Sequence, residues 1–190
     1  MLRFLSSISI YVVLALTLVG CSEHDYNPTW TSFEKLSQRI AKQYHQRFLS
    51  SGTGLLIEGD KAIWAYSVME TRNITLDEAK ILAANMLQTT LDAVLPDPLY
   101  QDYFPARFAK DSTHPSQIGP EYFGFKVSFW DEKMDRPLAP YIAQFRAVDG
   151  WVHFYYTDLK TQALQEPAAE IISYENLLHK EEQKAHEKVL

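Results

Sequence analysis

Cysteine is almost missing from this chain: its 190 residues contain one, Cys21. A single thiol excludes an internal disulfide and a thiolate metal cluster. Glycine is also scarce, at seven, which leaves little room for a Gly-rich phosphate loop or a dinucleotide fingerprint. Neither pattern occurs, and no serine sits in a GxSxG setting. No apolar run reaches the roughly 20 residues that a membrane-spanning helix needs. Positive charge is in deficit, with 18 Lys and Arg against 24 Asp and Glu and a net charge of −6. Nucleic-acid binders carry a basic face, so this balance argues against nucleic acid and against electrostatic adhesion to anionic lipid. There is no internal repeat and no low-complexity tract.

What is present starts near the first residue. Arg3 precedes an apolar run from Ile8 to Val19, and a small residue, Gly20, closes it. That is the layout of a secretory signal. Leu18-Val19-Gly20-Cys21 resembles the bacterial lipobox, in which the chain is cut before the cysteine and the thiol carries a diacylglyceryl group. The reading is a signal peptide over 1–20, a lipidated Cys21 with a short polar tether over 21–30, one α+β domain over 31–180 and a charged helical tail over 181–190. Loss of residues 1–20 removes only the charge of Arg3 and takes the net charge from −6 to −7. Stable anchoring takes two or more acyl chains, which a modified lipoprotein cysteine carries. Ser22 after the cysteine, rather than an aspartate, favours the outer membrane facing the periplasm in a Gram-negative cell.

Hydrophobic periodicity then sets out the elements. Thr31 and Glu34 have capping-box spacing, and Phe33, Leu36, Ile40, Tyr44 and Phe48 form one stripe, predicting a helix over 32–50. Two strands, Gly54–Glu58 and Lys61–Met69, flank Gly59-Asp60, a hairpin signal. The second has apolar Ile63 beside Trp64 and reads as buried on both faces. Thr75-Leu76-Asp77-Glu78 is a capping box, with Ile74 and Ala79 as a staple, for a helix that ends at Pro96 and Pro98. A long connection with five prolines spans 96–120. It carries Tyr100, Tyr103, Phe104 and Phe108 beside Arg107, and loops of this length are often functional. Strands over 122–130, 141–148 and 151–158 follow, the last two joined by Asp149-Gly150. That turn places Arg146 opposite His153 and Phe145 opposite Phe154, with apolar and polar residues on opposite faces. A last helix is expected from Pro167, packed by Ile171, Tyr174 and Leu178. The fold class is therefore α+β: an antiparallel sheet of about five strands with helices mainly on one face, in the order helix, two strands, helix, loop, three strands, helix.

Glu78-Ala79-Lys80, Tyr103-Phe104-Pro105, the strands around Asp149-Gly150 and Lys160-Thr161 resemble an uncharacterised family of small exported bacterial proteins and lipoproteins. That family is found chiefly in Legionella-like and Chlamydia-like bacteria. The resemblance covers about residues 30–180 and departs at Lys80, where the pattern usually has Arg. It implies a fold and an envelope location, and no activity or catalytic residues.

None of the six histidines pairs at HExxH or HxH spacing, and no metal or other cofactor is expected. Asp131, Glu132 and Asp135 cluster after Trp130 without the EF-hand pattern and read as a solvated turn. The best small constellation is Arg146, His153 and Tyr155 on the wetter sheet face, where an Arg fork could take a carboxylate or phosphate. Tyr103, Phe104 and Arg107 form a second candidate surface. The residues point away from an enzyme and toward a lipid-anchored envelope protein that binds a partner protein as an accessory or assembly component. The alternative is a small-molecule or lipid-binding module, whose cavity would be lined by Phe125, Phe145 and Phe154 with Arg146 or His153 at its mouth. An enzyme built on His114 or His153 is the third reading.

Overall fold

Helix α1 runs Pro28–Tyr44, with proline at the first position, where a missing N–H costs nothing. Phe33, Leu36, Ile40 and Ala41 are buried along one stripe. The helix stops short of the expected Ser50, because Phe48–Ser50 already belong to strand β1, Phe48–Glu58. Strand β1 pairs antiparallel with β2, Lys61–Thr71, along almost its whole length. That ladder takes residues whose spacing alone suited a helix. The computed structural model describes residues 28–44, 48–58, 61–101 and 119–179. The signal segment, Cys21, His45, the Gly59-Asp60 turn, Tyr103, Phe104, Arg107, Phe108, His114 and the tail from 180 onward lie outside the described residues.

Helix α2, Leu76–Val94, has the expected start. The Thr75 side chain accepts from the Glu78 N–H at 3.4 Å, and the Thr75 N–H donates to Glu78 Oε2 at 2.9 Å. Ile74 and Ala79, the staple pair, are both fully buried. Beyond Pro96 the chain is helical again at 98–101. Tyr100, which the sequence places in the long connection, is buried there. Its ring meets Phe33 and Phe123 edge-on, and its hydroxyl donates to Ser32 Oγ at 3.1 Å.

After a short 3-10 turn at Pro120–Tyr122 comes β3, Phe123–Trp130. Here the expected all-antiparallel sheet is corrected: β3 lies parallel to β2, with Trp64 opposite Phe123 and Val68 opposite Val127. A helix and a long connection separate the two strands, which is the chain length a parallel crossover requires and a hairpin does not. Strands β4, Gln144–Val148, and β5, Trp151–Tyr155, keep the expected register, including Arg146 opposite His153 and Phe145 opposite Phe154. Asp149 and Gly150 both have positive φ, 48° and 82°, as a two-residue I′ turn demands.

The expected helix from Pro167 is replaced by a sixth strand, β6, Glu170–Ser173, antiparallel to β5. Helical residues begin only at 174. Ile171 and Ile172 are β-branched and split between faces, Ile172 buried and Ile171 exposed, so period 2 wins over the helical spacing. Lys80 holds Glu170 at 2.7 Å and ties β6 to α2. The result is an α+β fold with one six-stranded mixed sheet in the order β1-β2-β3-β4-β5-β6.

Pleating divides the sheet into two faces. On one, Trp64, Tyr66, Val68, Phe123, Phe125, Val127, Phe129, Phe145, Val152, Phe154 and Ile172 join the buried stripes of α1 and α2 in one core. On this face the rings touch one another: Tyr66–Phe125 centroids are 5.5 Å apart, Phe125–Phe145 6.0 Å and Phe145–Phe154 5.9 Å. Strand β2 accordingly alternates. Trp64, Tyr66 and Val68 are buried on the helix side, while Ala65, Ser67 and Met69 are half-buried on the other.

Candidate functional site

The opposite face is not uniformly wet. Ile63, Gly124, Ser128, Gln144, Val148 and Tyr155 all point that way by register and are buried. Between them lies a window crossed by one ladder row: Ser67 on β2, Lys126 on β3, Arg146 on β4, His153 on β5 and Ile171 on β6. Lys126 is exposed, and Ser67, Arg146 and His153 are half-buried. At its β5–β6 end the window carries Trp151 and Ile171, each 50% exposed. They are diagonal neighbours on the same face, near enough to form one apolar contact surface.

Lys126 and Arg146 are direct cross-strand partners. The Phe129 N–H donates to Ala143 O at 2.9 Å, which makes 129/143 a hydrogen-bonded pair and, two steps along, 127/145 as well. The 126/146 pair is then of the non-hydrogen-bonded kind, the one in which side chains stand closest. Like charges facing each other there are unfavourable. Among the described residues the salt bridges run from Lys80 to Asp77 and Glu170, and neither Lys126 nor Arg146 takes part in one. The Arg146 Nε–H is buried and lacks a hydrogen-bond partner.

Beside the two cations the sheet surface is hollow. A concavity of about 280 Å³ is bounded by Gly54, Ala65, Ser67, Lys126, Arg146 and Ala147. A Cβ added at Gly54 would meet nothing within 4 Å, whereas one at Gly124, which pairs with Ala65, would lie 2.5 Å from the Ala147 carbonyl oxygen. Gly54 therefore leaves space above the sheet, and a side chain at Gly124 is sterically barred.

Of the residues singled out from sequence, Arg146, His153 and Tyr155 do come together. The His153 and Tyr155 rings lie nearly parallel, 9° apart in plane, with centroids 6.3 Å apart. Tyr155, however, is buried. Burial pushes its hydroxyl pKa up, against the pull of the Arg146 charge, and Glu166 adds to the rise. It is a neutral wall of the window rather than an anion. The cavity expected among Phe125, Phe145 and Phe154 does not form, since those rings fill the space with one another and lie on the helix face, away from Arg146 and His153. Tyr103, Phe104 and Arg107 lie outside the described residues. In the turn after β3, Asp131 spends its carboxylate on the backbone: Oδ1 accepts from the N–H groups of Lys133 and Asp135 at 2.8 and 2.9 Å. No group of three or more His, Cys, Asp or Glu among the described residues could hold a metal ion. Lys126, Ser67 and Gly54 were not singled out from sequence. The Asp149-Gly150 turn gives the register of β4 and β5, but no short turn signals the pairing of β3 with either neighbour.

A groove between α1 and the 98–101 turn is lined by Lys35 and Arg39 together with Asp97, so its charges are mixed. Among the described residues no helix is long and apolar enough to cross a membrane. No family model, curated protein or solved structure matches this chain.

Proposed function

We propose that this is a lipid-anchored envelope protein without catalytic chemistry, which uses the sheet face opposite α1 and α2 to bind a partner protein as an accessory or assembly component. The observation that carries the binding role is the exposed pair Trp151 and Ile171 on that face, next to Arg146 and His153. A half-exposed tryptophan beside an exposed isoleucine and an arginine is the composition of a binding hot spot. The envelope location rests on the lipobox-like Leu18-Val19-Gly20-Cys21 and on the resemblance to small exported bacterial lipoproteins. Ser22 favours the outer membrane, facing the periplasm.

Two experiments test this. Metabolic labelling with palmitate should mark the wild type and not Cys21→Ala, and a wild type that takes no label would remove the anchor from the account. Chemical crosslinking in native membranes should give one stoichiometric adduct that is lost in Trp151→Glu. An adduct that survives that change would move the binding surface elsewhere.

The concavity beside Lys126 and Arg146 favours a second reading, a small-molecule-binding module that uses the same face. It needs an open shallow site rather than the internal cavity that the packed aromatic core excludes between Phe125, Phe145 and Phe154.

A further inference from the structure

The Lys126–Arg146 pair conflicts with local stability, and that conflict identifies a ligand chemistry. Two cations occupy the closest kind of cross-strand position, with no described carboxylate bridging either one. The chain as a whole is acidic, at −6, so acidic side chains to neutralise the pair were plentiful in composition and are not placed there. A locally unfavourable arrangement kept in a sheet is expected where a site is. The ligand that relieves it is an anion. Arg146 offers a planar fork, Lys126 a mobile point charge and Ser67, next in the row, a hydroxyl, three donors of the kind that grip an oxyanion. Beside them the hollow over Gly54 and Ala65 presents small, largely apolar surface.

We infer that this window binds a small amphiphilic oxyanion, its carboxylate or phosphate head held by Lys126, Arg146 and Ser67 and its apolar body lying in the hollow over Gly54 and Ala65. The inference rests on the small-molecule reading of this face and does not depend on the lipid anchor.

The test is calorimetric titration of the full chain in phosphatidylcholine nanodiscs with hexanoate, hexyl phosphate and 1-hexanol. The two anions should bind, and the alcohol should bind at least about tenfold more weakly, the loss of one charge-assisted contact. Lys126→Glu and Arg146→Gln should each cost a similar factor or more, while Lys133→Glu, in the exposed turn after β3, should cost none. The ratio of hexyl phosphate to hexanoate affinity assigns the head group as phosphate or carboxylate. Near-equal binding of alcohol and anions, or variants at 126 and 146 that bind like the wild type, would overturn the oxyanion site while leaving a small-molecule module intact. A folded wild type that binds none of the three probes would overturn the small-molecule reading with it.

Discussion

The two faces of the sheet obey different rules. On the helix face most cross-strand neighbours agree with the fold: apolar side chains meet apolar ones, rings on β2, β3, β4 and β5 continue into the stripes of α1 and α2, and the exceptions are Glu70 opposite Phe129 and Glu170 opposite Phe154. On the other face the neighbours conflict. Lysine faces arginine, a half-exposed tryptophan sits beside an exposed isoleucine, and glycine and alanine leave a hollow where a sheet surface normally carries side chains. The first face maximises burial, which is what drives folding. The second gives up a little stability at one row, as the proposed binding role requires. On that reading, fold and function are separated by the width of a single sheet.

That comparison can be broken by mutation. Phe145→Ala on the helix face removes a fully buried ring and should cost about 3–5 kcal/mol in urea unfolding. Trp151→Ala on the other face should cost about 0.5 kcal/mol or less, so a large loss there would make the window structural. Tyr174→Phe comes next. The Tyr174 hydroxyl donates to the Phe123 carbonyl at 3.0 Å across a buried gap, and burial pushes its pKa well up, keeping the proton in place. Its removal should cost about 1 kcal/mol.

Thr75→Ala should cost about 1 kcal/mol at neutral pH by removing the α2 cap. The backbone N–H and then the side chain of Thr75 hold the Glu78 carboxyl below its ordinary value. A lowered folded-state value gives stabilisation that is full above the ordinary carboxylate range and is lost as pH falls through the lowered one. The gap between wild type and Thr75→Ala should therefore narrow in urea titrations carried from neutral to strongly acidic pH. The last effect has the opposite sign. Lys126→Glu turns a like-charge pair into an attractive one and should stabilise the ligand-free chain by about 0.2–1 kcal/mol. A destabilisation would mean that the pair is not a strained feature.

Most of the fold could be read from the chain wherever a turn or cap carried a local signal. The Thr75–Glu78 box, the Ile74–Ala79 staple and the Asp149-Gly150 hairpin all appear in the structure as their residues imply. What escaped were long-range decisions. The parallel pairing of β2 with β3 depends on a crossover whose direction no local motif encodes. Glu170–Ser173 looked helical by spacing because Ile171, Tyr174 and Leu178 recur at three and four, yet an open edge on β5 claimed the segment as a strand. Half of the candidate site was legible for the same reason. Arg146 and His153 were fixed by a tight turn, whereas Lys126 enters only through the β3–β4 register, and Gly54 only through the full width of the sheet.

The most direct test of the claim that the sheet face opposite α1 and α2 is the binding face is covalent footprinting, read by mass spectrometry, of the protein in its own envelope and again after purification in detergent. The account predicts that Trp151 and Lys126 are protected in the envelope and reactive once purified, while Lys133 labels equally in both. Equal labelling of all three residues in both preparations would contradict it.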